Sequence, residues 1–403
     1  MTSSEYTRGL FIAESNIKIV LVVVDGLGGL PHPNTGLSEL ETAAVPNLDR
    51  LAGAGSCGLL SPMAPGITPG SGPAHLALFG YDPWENVIGR GALSALGLRL
   101  PFAPGDVAAR LNFCTIDAAG LVTDRRAGRI PTDECLRLCE LMKEIEVDGV
   151  ELSVMPEREY RAAVVFRGEG LSDGISDSDP QVTGVAPRAM EPRTHKDAKM
   201  ARVATEFARQ ARQLLHGEQP ANMVLIRGFG GYPQVPQMRD VYGLRAHAIA
   251  VYPMYRGVAR AVGMEITDEG VDLDSQLRIL RESWEAFDFF YLHVKAPDSA
   301  GEDGDFARKV SLLQEVDGWV AQLEKLDPGV LIVTGDHSTP AIMRGHSWHP
   351  VPVVISSPWS IPIAAAAQFT ERACALGSIG QIPSTSLMAL ALAHARRLQK
   401  FGA

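Results

Sequence analysis

Three aspartates stand just beyond short apolar runs: Asp25 after IKIVLVVV (residues 17–24), Asp298 beyond FDFFYLHV (287–294) and Asp336 beyond VLIVT (330–334). Runs this short and this apolar read as strands buried on both faces, as in a parallel sheet. Ligands of open α/β sheets bind outside the carboxyl ends of the strands, so the three carboxylates are expected to converge on one edge. A single Asp before glycine is ordinarily a turn-former. Three together, with His337 beside Asp336 and His346 and His349 in the loop before the strand-like VPVVIS, point instead to a cation centre. Mixed carboxylate and imidazole donors suit Mn²⁺, Mg²⁺ or Zn²⁺, and there are enough of them for two ions. His349 directly precedes Pro350 and reads as structural.

The nucleophile candidate is Ser71 in TPGSGP, where flanking glycines leave the hydroxyl unshielded and let backbone N–H groups approach an anion. Beside a dinuclear centre such a hydroxyl is activated, and the attacking and leaving oxygens of a phosphoryl transfer are clamped. The first strand, VVVDGLGGL, also looks like the start of a dinucleotide fold. The fingerprint G-x-G-x-x-G fails there, because Pro31 holds the third glycine position. In DRRAGRI, Arg125, Arg126 and Arg129 cluster in an otherwise acidic chain as a guanidinium grip for a small carboxylate or phosphate. Arg227 and Arg256 follow apolar runs and belong with them as candidate substrate contacts. Asp179, with Asp177 in ISDSDP, is either an acid/base group or a turn-former.

These residues need elements to hold them. Between residues 197 and 216, apolar side chains at Met200, Val203, Ala204, Phe207, Ala211, Leu214 and Leu215 share one helix face, as do Val310, Leu313, Val316, Val320 and Leu323 further on. Residues 386–400 read as a closing helix. Strands alternating with helices predict an α/β fold with a doubly wound, mainly parallel sheet. From 105 to 219 the texture changes to β-rich pieces (108–116, 161–167) between polar, Gly/Pro-punctuated stretches. The expected division is therefore a metal-binding core of residues 1–104 and 220–403, with an inserted α+β lid domain at 105–219.

The chain's 403 residues suffice for two or three domains, and 46% hydrophobic with 21% charged residues is a globular composition. With 37 Lys and Arg against 47 Asp and Glu, the net charge of -10 gives no footprint for nucleic acid. Five cysteines without paired spacing argue against a disulfide framework or a zinc ribbon. No run approaches the ~18 apolar residues of a membrane span and no leader is evident, so a cytoplasmic protein without a membrane partner is expected. The oligomeric state is left open.

VVVDGLGG, VPNLDRLAGAG, TPGSGPAHLALFGYDP, GRGALSALG, DRRAGRI, SDSDP, LIRGFGG, KAPDSAGEDGD and TGDHSTP together resemble the archaeal-type cofactor-independent phosphoglycerate mutases of the alkaline phosphatase superfamily. The resemblance runs from about Ile17 to Ile355; SDSDP and DRRAGRI point to the mutase branch. It implies that Ser71 is phosphorylated and touches one cation, whose other ligands are Asp25, Asp336 and His337. Asp298 and His346 would hold the second cation, with Glu302 where the wider family carries histidine. That carboxylate tilts the site towards Mn²⁺ or Mg²⁺, with Zn²⁺ a further option. Arg256 aligns with a lysine near the phosphate, and Gly72-Pro73 replaces an acidic residue often found after the nucleophile. The implied reaction is interconversion of 3-phosphoglycerate and 2-phosphoglycerate, an isomerisation of glycolysis and gluconeogenesis that needs no 2,3-bisphosphoglycerate. A metal-dependent phosphomonoesterase or another phosphomutase is the alternative.

Overall fold

The computed structural model describes residues 2–12, 15–268 and 270–402. In chain order the strands are β1 (Ile19–Val24), β2 (Ser56–Ser61), β3 (Val107–Ile116), β4 (Val122–Asp124), β5 (Glu151–Arg158), β6 (Arg161–Arg167), β7 (Met223–Gly231), β8 (Ala246–Ala250), β9 (Phe289–Val294), β10 (Val330–Thr334), β11 (Val351–Ser356) and β12 (Gly380–Pro383). The three apolar runs become β1, β9 and β10, and every residue of all three is buried. They are neighbours in a seven-stranded sheet ordered β12-β2-β11-β10-β1-β9-β8. β1 pairs parallel with both β10 and β9, so the loops carrying Asp25, Asp298 and Asp336 leave the same edge. Only β11 runs antiparallel to its partners, β10 and β2. Val20, Val22 and Val24 of β1 enter a core built with the helices Leu273–Ser283 and Phe306–Glu324, while Ile19, Leu21 and Val23, equally buried, face the other way. A strand covered on both faces has no polar side to alternate, which is why its sequence is uniformly apolar.

The chain divides into two units, Met1–Val87 with Val235–Ala403, and Ile88–Gln234. The second unit is thus wider than residues 105–219 on both sides. Its sheet runs β4-β3-β6-β5, with β7 on the other side of β3, and the β3 pairings are all antiparallel. β7, lying beyond residue 219, is bound to β3 along its length, from Met223 opposite Cys114 to Gly231 opposite Val107. The helix Arg90–Gly97, lying before residue 105, packs on the same strand so closely that a Cβ at Gly91 would fall 2.4 Å from the Ala109 Cα. The closing helix is also shorter than its sequence pattern. It ends at His394, Arg396 turns with φ 54°, and Leu398 bridges back to Phe11. Among the described residues no helix is long and apolar enough to cross a membrane.

Behind the carboxyl edge of the first unit's sheet lies a fully buried lysine. Lys309 donates to the carbonyls of Gly28 (3.0 Å) and Thr339 (2.9 Å), tying the loop after β1 to the loop after β10. Glu39, 4.0 Å away, supplies a counter-charge and accepts from the Ala341 N–H at 2.7 Å. Glu371 accepts from Gly29 N–H and the Ser38 hydroxyl and is also felt by Lys309. Removing one member of such a buried network strands the opposite charges. Lys309→Met is therefore expected to lower unfolding free energy by about 3–5 kcal/mol, measured by urea denaturation in EDTA. A loss under 1 kcal/mol would show that the lysine is not holding the two loops together.

Candidate active site

Asp25 and Asp336 each have one oxygen secured by the protein and are turned so that the other faces an imidazole. Asp336 Oδ1 accepts from Gly26 N–H at 3.2 Å, and its Oδ2 lies 3.2 Å from His337 Nε2. Asp25 Oδ2 receives the Tyr255 hydroxyl and the Lys295 ammonium (3.1 Å), while its Oδ1 lies 3.5 Å from the same His337 Nε2. Neither Asp25 Oδ1 nor Asp336 Oδ2 has a hydrogen-bond donor among the described residues. Gly26 makes the arrangement sterically feasible. It sits at φ 65°, and a Cβ there would meet Thr339 Oγ1 at 2.6 Å and Asp298 Cα at 2.9 Å.

The tautomers follow from the partners. Thr339 gives its single hydroxyl proton to Asp298 Oδ1 at 2.6 Å, so its 3.1 Å contact with His337 must be a bond donated by Nδ1–H. Nε2 of His337 is then a bare lone pair. Burial, opposed by Asp25, holds this imidazole well below its ordinary pKa, so it is neutral. His346 donates from Nδ1 to the Pro69 carbonyl (2.9 Å), which presents its Nε2 towards Asp298 Oδ1 (3.6 Å) and Glu302 Oε1 (3.8 Å). The pairing of Ser347 N–H with Ser338 O folds the loop back so that the His346 ring stacks on His337 at 3.7 Å. Lone pairs directed at one another across such distances fit divalent cations, with the outer ring nitrogens fixed by hydrogen bonds as metal-binding histidines usually are. Two triads, Asp25–Asp336–His337 and Asp298–His337–His346, each bring their donor atoms within 4.8 Å of one another.

The carboxylates respond oppositely to the crowding. Burial would raise Asp25, but the Lys295 ammonium, with His293 beside it, holds it well below the usual carboxylate range. Burial and the neighbouring charges of Asp25 and Asp298 push Asp336 well above it. Burial and then Asp298 raise Glu302, which lies half-exposed at the rim.

Ser71 opens the helix Ser71–Leu78, with Gly70 as its N-cap, and its hydroxyl is 3.3 Å from His337 Nε2. One turn on, His75 Nδ1–H donates to the Ser71 carbonyl at 2.7 Å and stands 3.4 Å from Asp336. Burial, reinforced by His293, lowers His75 to about 3, so it too is neutral. His293 lies 3.2 Å from Asp25 and stacks on Tyr255 at 3.6 Å. Lys295 bridges from Asp25 to Asp298 Oδ2 at 2.5 Å. His75, Tyr255, His293, Lys295 and Thr339 escaped sequence reasoning. Signals existed: His293 is the one polar residue within β9, and His75 is one helical turn from Ser71. Arg256, next to Tyr255 on the helix Pro253–Ala261, is buried. His349 bonds Ser347 Oγ through Nδ1 at 3.1 Å.

In the second unit, Arg125 grips Asp179 with two bonds of 2.9 and 2.7 Å, and Arg227 reaches the same carboxylate at 3.1 Å. Burial would raise Asp179, but these guanidiniums keep it below its ordinary value. Arg126 and Arg129 do not join them and lie exposed in the turn. Asp177 accepts from Gly228 N–H at 2.7 Å, which ties the ISDSDP segment to β7, 51 residues further on, rather than forming a local turn.

The site so assembled offers two donor triads that could hold cations, with a serine hydroxyl at its side. A profile described as 2,3-bisphosphoglycerate-independent phosphoglycerate mutase matches residues 52–222. A Thermus thermophilus protein described as a probable 2,3-bisphosphoglycerate-independent phosphoglycerate mutase is 48% identical over 391 residues, covering 96% of either chain. A Thermotoga neapolitana protein of the same description is 46% identical, covering 97% of each. A Pyrococcus horikoshii structure superposes with TM-score 0.83 at 29% identity, over 96% of this chain and 99% of that one. The cofactor-independent phosphoglycerate mutase of Thermoplasma acidophilum does so with TM-score 0.70 at 28% identity, over 94% and 100%. The chain belongs to the 2,3-bisphosphoglycerate-independent phosphoglycerate mutase family.

Glu302 tests the donor set. An imidazole in its place is expected to move cation preference from Mn²⁺ or Mg²⁺ towards Zn²⁺ or Co²⁺, read by competitive binding to Glu302→His. An unchanged preference would take Glu302 out of contact with the cation.

Proposed function

We propose that this protein is an isomerase that interconverts 3-phosphoglycerate and 2-phosphoglycerate through a phosphoserine at Ser71, without 2,3-bisphosphoglycerate, and that it is of the archaeal type. The observation that carries the proposal is the meeting of the Ser71 hydroxyl with His337 Nε2 among the bare oxygens of Asp25 and Asp336. Asp25, Asp336, His337 and Ser71 would hold one divalent cation, and Asp298, His346 and Glu302 the other. Such ions lower the pKa of a hydroxyl and neutralise charge on the transferring phosphoryl group. Mn²⁺ or Mg²⁺ suits the oxygen-rich set.

Ser71 Oγ forms a bond to phosphorus as the bond from phosphorus to the glycerate 3-oxygen breaks. That oxygen leaves as a hydroxyl, taking up the proton that Ser71 gives up. Glycerate then turns, its 2-oxygen bonds to phosphorus as the bond from phosphorus to Ser71 Oγ breaks, and the 2-hydroxyl proton returns to Ser71. The return step outcompetes water only while glycerate is retained, because a held hydroxyl has an effective concentration of up to about 10⁵–10⁸ M in well-oriented cases. The second unit is the lid in this reading. Arg125 and Arg227, braced by Asp179, and the exposed Arg126 and Arg129 are its candidate contacts for the substrate anion, as Arg256 is in the first unit.

Incubation with 3-phosphoglycerate and Mn²⁺ is expected to yield 2-phosphoglycerate with little inorganic phosphate. Ser71→Ala should lose the conversion while still binding Mn²⁺. Phosphate release that keeps pace with substrate loss would make the protein a phosphatase, and activity surviving in Ser71→Ala would remove the covalent step. Arg125→Ala is expected to raise KM and to increase the fraction of turnovers ending in free phosphate. A fall in activity with that fraction unchanged would count against the grip.

A further inference from the structure

Lys295 lies at the head of the helix Ala296–Asp303, which carries Asp298 and Glu302. Its ammonium touches a carboxylate of each cation triad, Asp25 Oδ2 at 3.1 Å and Asp298 Oδ2 at 2.5 Å. On Asp25 this is the oxygen turned away from His337, so the contact leaves the bare Oδ1 available to a cation. The lysine side chain is 30% exposed while both carboxylates are fully buried, which puts it on the open side of the cluster. Nζ is also 5.6 Å over the Tyr255 ring, and that contact limits its swing.

We infer that Lys295 is a catalytic residue, the built-in cation that makes this centre attractive to a phosphoryl group and touches that group during transfer. The inference rests on the dinuclear reading above. Four carboxylates, those of Asp25, Asp298, Glu302 and Asp336, balance two divalent cations, leaving a neutral cluster with no net attraction for a phosphate dianion. Lys295 makes the loaded cluster positive by one. A histidine in place of Glu302 would give the same charge without it, so the lysine offsets the extra carboxylate. A phosphoryl group attacked by Ser71 between the two triads would come within reach of the ammonium that joins Asp25 of one to Asp298 of the other. Without cations, the same ammonium is the counter-charge that lies against the buried carboxylates of Asp25 and Asp298.

The experiment uses calorimetric titration of inorganic phosphate into the Mn²⁺-loaded full chain, after two equivalents of Mn²⁺ have been shown to bind the wild type. Failure of that first step would overturn the dinuclear reading rather than the role of Lys295. Lys295→Met is expected to bind phosphate about tenfold or more weakly while keeping two Mn²⁺, the loss typical of a hydrogen bond to a charged group. The same variant should melt about 5 °C or more lower in EDTA, having left buried carboxylates unpaired, and recover with Mn²⁺. Lys295→Met combined with Glu302→His restores the charge and should bring phosphate affinity back to within roughly threefold of wild type, as Lys295→Arg should. Unchanged phosphate binding in Lys295→Met, or no recovery in the charge-restoring variants, would overturn the inference.

Discussion

The burial of several like charges around one neutral imidazole governs the rest of this structure. Asp25 and Asp336 turn unbonded oxygens towards His337 Nε2, and Asp298 lies one threonine away. Left alone, such a set would expel its own charge by taking up protons, as the raised Asp336 shows. It persists because the side chains packed against it on the buried side are neutral or positive: the neutral rings of His75 and His293, the phenol of Tyr255, which burial and Asp25 keep protonated, and the ammonium of Lys295.

That arrangement needs a rigid backing, which comes from outside the site. The loops after β1 and β10 hydrogen-bond to each other through Thr339 N–H and Gly28 O, and Lys309 clamps both carbonyls from behind. Thr339 faces both ways, its backbone in that clamp and its hydroxyl orienting Asp298 and His337. A displacement of either loop would therefore misplace donors for both cation triads together. Precision of this kind is easier to keep on the ends of fully buried strands than on a mobile loop.

The sheet and the loops that carry the carboxylate cluster were legible because parallel, doubly covered strands advertise themselves as uninterrupted apolar runs, and the residues that follow them must share an edge. Asp25, Asp298, Asp336, His337 and His346 follow from that rule. The residues behind them do not. Tyr255 and Lys309 lie on helices, where one polar residue among apolar neighbours looks like any other, and their roles arise from contacts with segments more than 200 residues away in sequence. The unit boundary was missed for a related reason. β7 belongs by sequence to the segment after the insertion, yet its hydrogen bonds go to β3. The overlong closing helix shows the limit of periodicity, since the turn at Arg396 carries no glycine to announce it.

The order of strands in space also sets an order in time. β1 lies between β9 and β10, and its first residue pairs with Phe289, about 270 residues further along the chain. At a synthesis rate of about 5–20 residues per second, β1 waits roughly 15–55 s for its first neighbour. During that interval IVLVVV is an uncharged, β-prone segment with both edges open, the kind that associates with copies of itself. The second unit, by contrast, is contiguous from Ile88 to Gln234 and its strands find partners within it. On the ribosome it has all its strands before the sheet that holds the catalytic edge can form, and the yield of soluble protein depends on how well β1 is shielded until then.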